Sequence, residues 1–354
     1  MPSCSELQAD LAALKALGAE FDRALSAAAK APDQESARQA ITKAKALKQT
    51  IERSIAALRE QLSPRLEREL NLREQYDKQR ALWEGLGLSR LEAINGQHYN
   101  LPEYTDVLAL FEKHKEVVKR KASHGFTKLL LVPFGLSNDR LTSLLSQRLL
   151  EHHRQGKLLR TKKTPADPDQ PFPLKLEPDE QVYFGASAVR TGDVTGDLLY
   201  YPTDFSQKNG QTKQELLASQ GGWQIMLVED RPCLPAQGEA AGLAKGGRSP
   251  MEAGFDSNHY LKETRTNPAY QNEHGFTYES WVAYLLTYLA ETSQVIDDWQ
   301  GQGKISRLFG CQIKSSGYVP TAGAELDYSL LCVGSAGAGS PDDRVAGRSA
   351  VVVM

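Results

Sequence analysis

The chain reads as an α+β protein with an α-helical, coiled-coil-like N-terminal region. Three observations carry that reading. Apolar residues recur at steps of three and four through the N-terminal part, up to about Gly85. After residue 180 the pattern changes to short apolar runs bounded by Gly, Pro and Asp, the mark of strands. One strong helix, opening near Thr277, interrupts those runs, and a valine run, 351–353, closes the chain as a strand.

The whole-chain numbers set limits. With 354 residues there is room for two or more domains. A hydrophobic fraction of 40% and a charged fraction of 24% exclude a disordered or fibrous chain. A net charge of −2 gives no general pull toward nucleic acid or membrane. No run of apolar residues is long enough for a transmembrane helix. The start, Met1-Pro2-Ser3-Cys4, lacks the basic opening and apolar core of a signal peptide, which predicts a cytoplasmic protein. The cysteines Cys4, Cys233, Cys311 and Cys332 form no Cys-x-x-Cys pair and no zinc spacing. They are expected as reduced thiols, with a Cys311–Cys332 bridge left open. No cofactor is expected.

Residues 1–90 are expected as a helical stalk that joins copies of the chain into a homo-oligomer. Leu7, Leu11, Leu14, Leu17, Phe21 and Leu25 mark a first helix over 5–30, ended by Pro32-Asp33. Ile41, Ala44, Leu47, Ile51, Ile55, Leu58 and Leu62 mark a second, which Pro64 kinks or breaks. Leu66, Leu70, Tyr76 and Leu82 carry the pattern to about Gly85.

Residues 91–163 read as a basic helical linker domain. A helix over 103–122 turns Val107, Leu110, Phe111, Val117 and Val118 inward, with His114 at its boundary. A buried strand follows near 128–135, then a helix from Ser137 to about Gly156. From Phe111 to Lys163 there are thirteen Lys/Arg against four Asp/Glu. Lys119-Arg120-Lys121 and Arg160 to Lys163 are the densest parts. Nucleic-acid contact is one reading of such a surplus and a solvated face the other. Aromatic residues do not interleave the charges as single-strand binding requires. Residues 164–178 are a proline-rich spacer, and the domain boundary is expected there.

The C-terminal domain, 179–354, begins with short strands at Val182, Asp197–Pro202 and Trp223–Val228. An irregular polar stretch over 248–276 leads to the helix capped by Thr277, with Trp281, Leu285, Tyr288 and Leu289 inward and Val295-Ile296 continuing its face. Gly317-Tyr318-Val319-Pro320 and Gly347-Arg348-Ser349 bracket a segment, Thr321 to Ala346, with no periodic pattern and many glycines. It is expected as a long irregular loop, either functional or disordered.

Catalytic patterns are scarce. There is no Gly-x-Ser-x-Gly elbow, phosphate loop or dinucleotide fingerprint. His152 and His153 are adjacent and face different sides of a helix. Asp297-Asp298 follows a helix end, as a solvated turn or a cation site. His259 and His274 flank the irregular stretch, where a structural role competes with lining a site.

The order Thr277-Tyr278-Glu279-Ser280-Trp281, Gln294 to Asp298, Gly317 to Pro320, free segment, Gly347-Arg348-Ser349 resembles the C-type-lectin-like domains related to formylglycine-generating enzymes. Within that group it is most similar to the variable proteins diversified by retroelements, over residues 180–354. The resemblance implies a bacterial or phage protein whose hypervariable C-terminal segment displays side chains for binding. Adenine-targeted diversification yields codons that cannot encode Lys, Gln, Glu, Met or Trp. Between Thr321 and Ala346 only Glu325 belongs to that set. The implied ligand-binding residues are Thr321, Ala322, Ala324, Asp327, Tyr328, Leu330, Leu331, Ser335, Asp342, Asp343 and Arg344. The bracketing Gly-Tyr-Val-Pro and Gly-Arg-Ser runs are implied scaffold. The enzyme branch needs a close copper-binding cysteine pair or a histidine triad. Cys311 and Cys332 are too far apart in sequence for the first, and no residues here match the second. The expectation is therefore a non-enzymatic display protein. The alternatives are a nucleic-acid-associated protein using 111–163 and a formylglycine-generating-type oxidoreductase.

Overall fold

The computed structural model describes residues 4–31, 33–62, 65–163, 171–173, 180–299, 303–325 and 330–353. It contains two compact units, Met1–Asn71 and Leu72–Met354. In the first, α1 (Cys4–Ala29) and α2 (Gln34–Leu62) pack as a hairpin, followed by α3 (Arg65–Leu70). Asp33 starts α2 by accepting the Ser36 N–H at 2.8 Å and the Ser36 hydroxyl at 2.9 Å. Ala24 and Ala44 are buried in the seam, with Leu14, Leu17, Phe21, Leu47 and Ile51 half-buried. Leu25 and Ile41 are 46% and 45% exposed, so the hairpin leaves part of its apolar stripe uncovered.

The second unit holds α4 (Leu72–Gly85), α5 (Tyr104–Lys113), α6 (Lys115–Ser123), α7 (Asn138–Arg154), α8 (Ser187–Thr195), α9 (Lys213–Gln220), α10 (Ser257–Thr266) and α11 (Tyr278–Thr292). Two sheets organise it. A four-stranded antiparallel sheet runs in the order His274–Gly275, Ser349–Val352, Gln224–Glu229, Phe126–Val132. A six-stranded mixed sheet runs in the order Val345–Gly347, Ile305–Arg307, Tyr318–Glu325, Leu330–Gly337, Val182–Phe184. Its sixth strand, Asp298–Trp299, pairs in parallel with Tyr318–Glu325. The helix α11 packs against α7, α4 and the Phe126–Val132 strand. Trp281, Leu285 and Leu289 are wholly buried there. Thr277 caps this helix as expected, its hydroxyl accepting the Ser280 N–H while Ser280 reaches back to the Thr277 N–H.

The expected domain boundaries are not the ones the chain uses. The Phe126–Val132 strand, from the middle section, is an integral strand of the four-stranded sheet. The expected spacer over 164–178 lies outside the described residues except for 171–173, and the segments on either side of it belong to one unit. The stalk also ends earlier than residue 90, because α4 closes the free edge of that same strand. Gln75 donates to Thr127 O at 2.9 Å and accepts the Leu129 N–H at 2.8 Å. Gln79 donates to Leu129 O and accepts the Leu131 N–H at 2.7 Å. Two glutamines one helical turn apart thus satisfy the backbone groups that an unpaired edge strand exposes.

Three local expectations also change. The helix over 103–122 breaks into α5 and α6 at His114, whose backbone leaves the helical region (φ −106°, ψ 21°). The stretch 248–276 contains α10, started by Asp256 accepting the His259 N–H at 2.8 Å. The helix α11 ends at Thr292, where Ser293 turns left-handed (φ 62°), so Val295 and Ile296 are buried beyond it. Among the described residues no helix is long and apolar enough to cross a membrane.

Replacing Gln79 with Ala leaves the Leu129 carbonyl and Leu131 N–H buried without partners. It is expected to destabilise the chain by about 2–4 kcal/mol in urea denaturation. Arg73→Ala, which removes an exposed pair with Asp77 on the same helix, is expected to change stability by less than about 1 kcal/mol.

Candidate functional site

The segment expected as a loop is mostly a β-hairpin. Tyr318–Glu325 pairs in antiparallel register with Leu330–Gly337, from Tyr318 opposite Gly337 to Glu325 opposite Leu330. The strand Ile305–Arg307 continues the sheet on one side and Val182–Phe184 on the other. Small residues make this possible: with Ala, Gly and Ser in the strands, neighbouring elements approach closely. Gly323 is one such position. A Cβ there would stand 2.9 Å from the Asp297 carbonyl oxygen, which accepts the next N–H, that of Ala324, at 3.0 Å.

Asp297 is the pin behind the hairpin. Its carboxylate is fully buried and receives Arg348, the Trp281 indole N–H at 2.9 Å and the Ser306 hydroxyl at 2.6 Å. Arg348 also donates to Arg231 O at 2.7 Å, and its guanidinium lies 5.0 Å from the Tyr284 ring centre. Burial pushes the Asp297 carboxyl upward in pKa, while Arg348, Ser306 and Trp281 act the other way. The neighbours of Arg348 are equally fixed. Gly347 lies so close to the Tyr260 ring that a Cβ would be 2.8 Å from it. The Ser349 hydroxyl donates to Glu273 at 2.6 Å.

This structure sorts the expected binding residues into two groups. Ala322, Ala324 and Leu331 are buried and point into the core, so their side chains are not on display. Thr321 and Ser335 are half-buried on the hairpin, opposite Gly334 and Pro320. Leu330 begins the second strand. Asp327 and Tyr328 lie outside the described residues. Asp343 and Arg344 are exposed, and Asp342 holds Arg344 with two contacts of 3.0 and 2.8 Å.

The outward positions of the sheet form a groove of about 450 Å³. Its shape comes from the register. Cys332 stands between Tyr183 on one side and Gly323 on the other, and Ile305 lies against Gly323. Bulky Tyr183 and Ile305 are therefore walls, with Cys332, Gly334 and Thr321 between them and Glu325, Gly185 and Val333 completing the lining. Burial, together with Glu325 and Glu180, pushes the Cys332 thiol up to about 12. Of these eight residues, sequence reasoning assigned Thr321 alone to ligand binding. The one signal for Tyr183 was its place between Val182 and Phe184 in a short strand, which turns it away from Val182.

Other candidates resolve differently. Asp297-Asp298 is neither a solvated turn nor a cation site: both residues are buried, and Asp297 is committed to Arg348. Among the described residues no group of three His, Cys, Asp or Glu is placed to hold a metal ion. His259 stacks on Phe255 at 4.1 Å, and His274 meets Tyr201 edge-on at 5.5 Å. Cys311 and Cys332 are free thiols, so the Cys311–Cys332 bridge does not form. Part of the basic surplus turns inward. Lys121 is buried against Glu273 at 2.7 Å, and Lys128 pairs with Glu291. Arg120 donates to Gln271 and Asn272.

Comparison with protein-family models, with curated proteins and with solved structures finds no match to this chain.

Arg348→Met strands the Asp297 carboxylate in the core and is expected to cost about 3–5 kcal/mol in urea denaturation. The double replacement Asp297→Leu with Arg348→Met is expected to recover part of that loss, because no buried charge remains unpaired. The raised Cys332 pKa implies about a thousandfold less thiolate at pH 8 than an ordinary thiol gives. Cys332 should therefore alkylate slowly with iodoacetamide, and Glu325→Gln should speed it, as followed by mass spectrometry.

Proposed function

We propose that the chain is a non-enzymatic binding protein of the retroelement-diversified, C-type-lectin-like kind, with its ligand face on the C-terminal hairpin. The groove between Tyr183 and Ile305 is the observation that carries this reading. It lies on strands whose inward residues are packed and whose ends are fixed through Asp297, Arg348 and Ser349. Outward side chains can then change without disturbing the core, the property a diversifiable surface needs. Self-association through the N-terminal hairpin belongs to the same reading and is supported by the uncovered Leu25 and Ile41. A reducing, cytoplasmic setting is supported by the free cysteines.

The inward turn of Lys121 and Lys128 weighs against the nucleic-acid alternative, because those charges already have acidic partners. The wide separation of roles between buried Cys311 and groove-lining Cys332 weighs against a copper-binding cysteine pair.

The test is the pattern of substitution among close copies of the gene. Changes are expected at outward positions such as Thr321, Cys332 and Gly334, while Ala322, Ala324, Leu331 and Val333 stay apolar. Substitutions spread evenly along the chain would overturn the reading.

A further inference from the structure

We infer that the groove receives the side chain of an arginine or lysine presented by a protein partner. The inference rests on the display reading above and names the chemistry of its ligand. Its starting point is the way this chain treats carboxylates. Asp193, Glu279, Glu273 and Asp297 are all buried, and each has a Lys or Arg within 3 Å. Glu229, largely buried, has Arg248 at 2.9 Å. Half-buried Glu252 and Asp256 have no Lys or Arg partner but accept backbone N–H groups, and Glu325 differs from both kinds. It is half-buried, lines the groove, and has no ion-pair partner among the described residues. Its contact is the weakly donating Cys332 thiol. Arg344 is within electrostatic reach of Glu325 but is held by both oxygens of Asp342. Lys304 lies 5.0 Å from the Trp299 ring centre, in a cation–π contact of its own. Glu180, exposed and near Cys332, adds a second negative charge beside the groove.

The walls complete the specification. Tyr183 is 49% exposed, an aromatic face open to a cation. Ile305 offers an aliphatic wall for the stem that carries the charge. An ammonium or guanidinium on a chain of methylenes meets all three demands: an apolar stem, a ring to lie over and a carboxylate to pair with. A neutral apolar side chain would fill the groove and leave Glu325 partly desolvated and unpaired. An acidic one would meet Glu325 and Glu180 as like charges.

The experiment uses the full chain with a labelled Ile305 δ-methyl group as the NMR reporter. Short Gly-Ser peptides carrying a central Arg, Lys, Leu or Glu are titrated in, with Nα-acetyl-arginine amide as the free small-molecule arm. The Arg and Lys peptides are expected to shift the Ile305 methyl saturably, more tightly than the amide, and the Glu peptide is not. Glu325→Gln is expected to weaken the Arg peptide about tenfold with unchanged melting temperature. Tyr183→Ser, at an exposed position, is expected to weaken it as well. Equal shifts from the Leu peptide, or an unchanged affinity in Glu325→Gln, would overturn the choice of a cation while leaving the groove as a binding surface. Tighter binding of the amide than of the Arg peptide would overturn a protein partner. Absence of any shift overturns the inference too, and the substitution pattern then decides the display reading separately.

Discussion

The buried pair of Asp297 and Arg348 is the interaction on which the rest of this unit depends. It joins segments that are far apart in the chain. Asp297 comes just after α11 and also holds Trp281 from within that helix and Ser306 from the Ile305–Arg307 strand. Arg348 stands between the last strands of the two sheets and reaches the carbonyl of Arg231. A charge taken out of water is tolerated only when its partners are complete. That requirement fixes the relative positions of these elements more tightly than apolar packing, which accepts many near-equivalent arrangements. The Asp297 main chain extends the constraint, because its carbonyl takes the Ala324 N–H and sits against Gly323.

The same arrangement recurs elsewhere in the unit. Arg248 holds Glu273 with contacts of 3.0 and 2.7 Å, and Lys121 and Ser349 meet the same carboxylate. Lys213 lies between Asp193 at 2.9 Å and Glu279 at 2.6 Å, with the Tyr200 hydroxyl donating to Glu279. These clusters tie the middle section of the chain to its C-terminal part. They also give the basic surplus of the middle section a role in the interior.

The binding face depends on this rigidity. A hairpin offers alternating residues to two environments, so one set is free to vary only when the other is fixed. A loop of the same length would order itself on binding and lose affinity to that ordering. In the hairpin the ordering has already happened during folding. The groove itself is made by absence of bulk: Gly334, Thr321 and Cys332 are small, and Tyr183 and Ile305 flank them.

The sequence alone determined the helical character of the N-terminal region, the α+β character of the remaining chain, the capped helix at Thr277 and the closing strand. Each of these is written locally, as a period of apolar residues or a cap. Tertiary structure decided the rest. The hairpin over 318–337 was illegible because seven of the sixteen residues in its strands are Ala, Gly or Ser, which carry little strand preference of their own and interrupt the pattern of the others. They become strands because Ile305–Arg307 and Val182–Phe184 supply hydrogen-bonding partners at both edges. The partner of Asp297 was equally hidden, since Arg348 lies fifty-one residues away. The unit boundary at Asn71 depended on two glutamines whose acceptors and donors sit on a strand fifty or more residues later. Local preference is a property of neighbours in the chain. Pairing of edges and of buried charges is a property of neighbours in space, and only the folded chain brings those together.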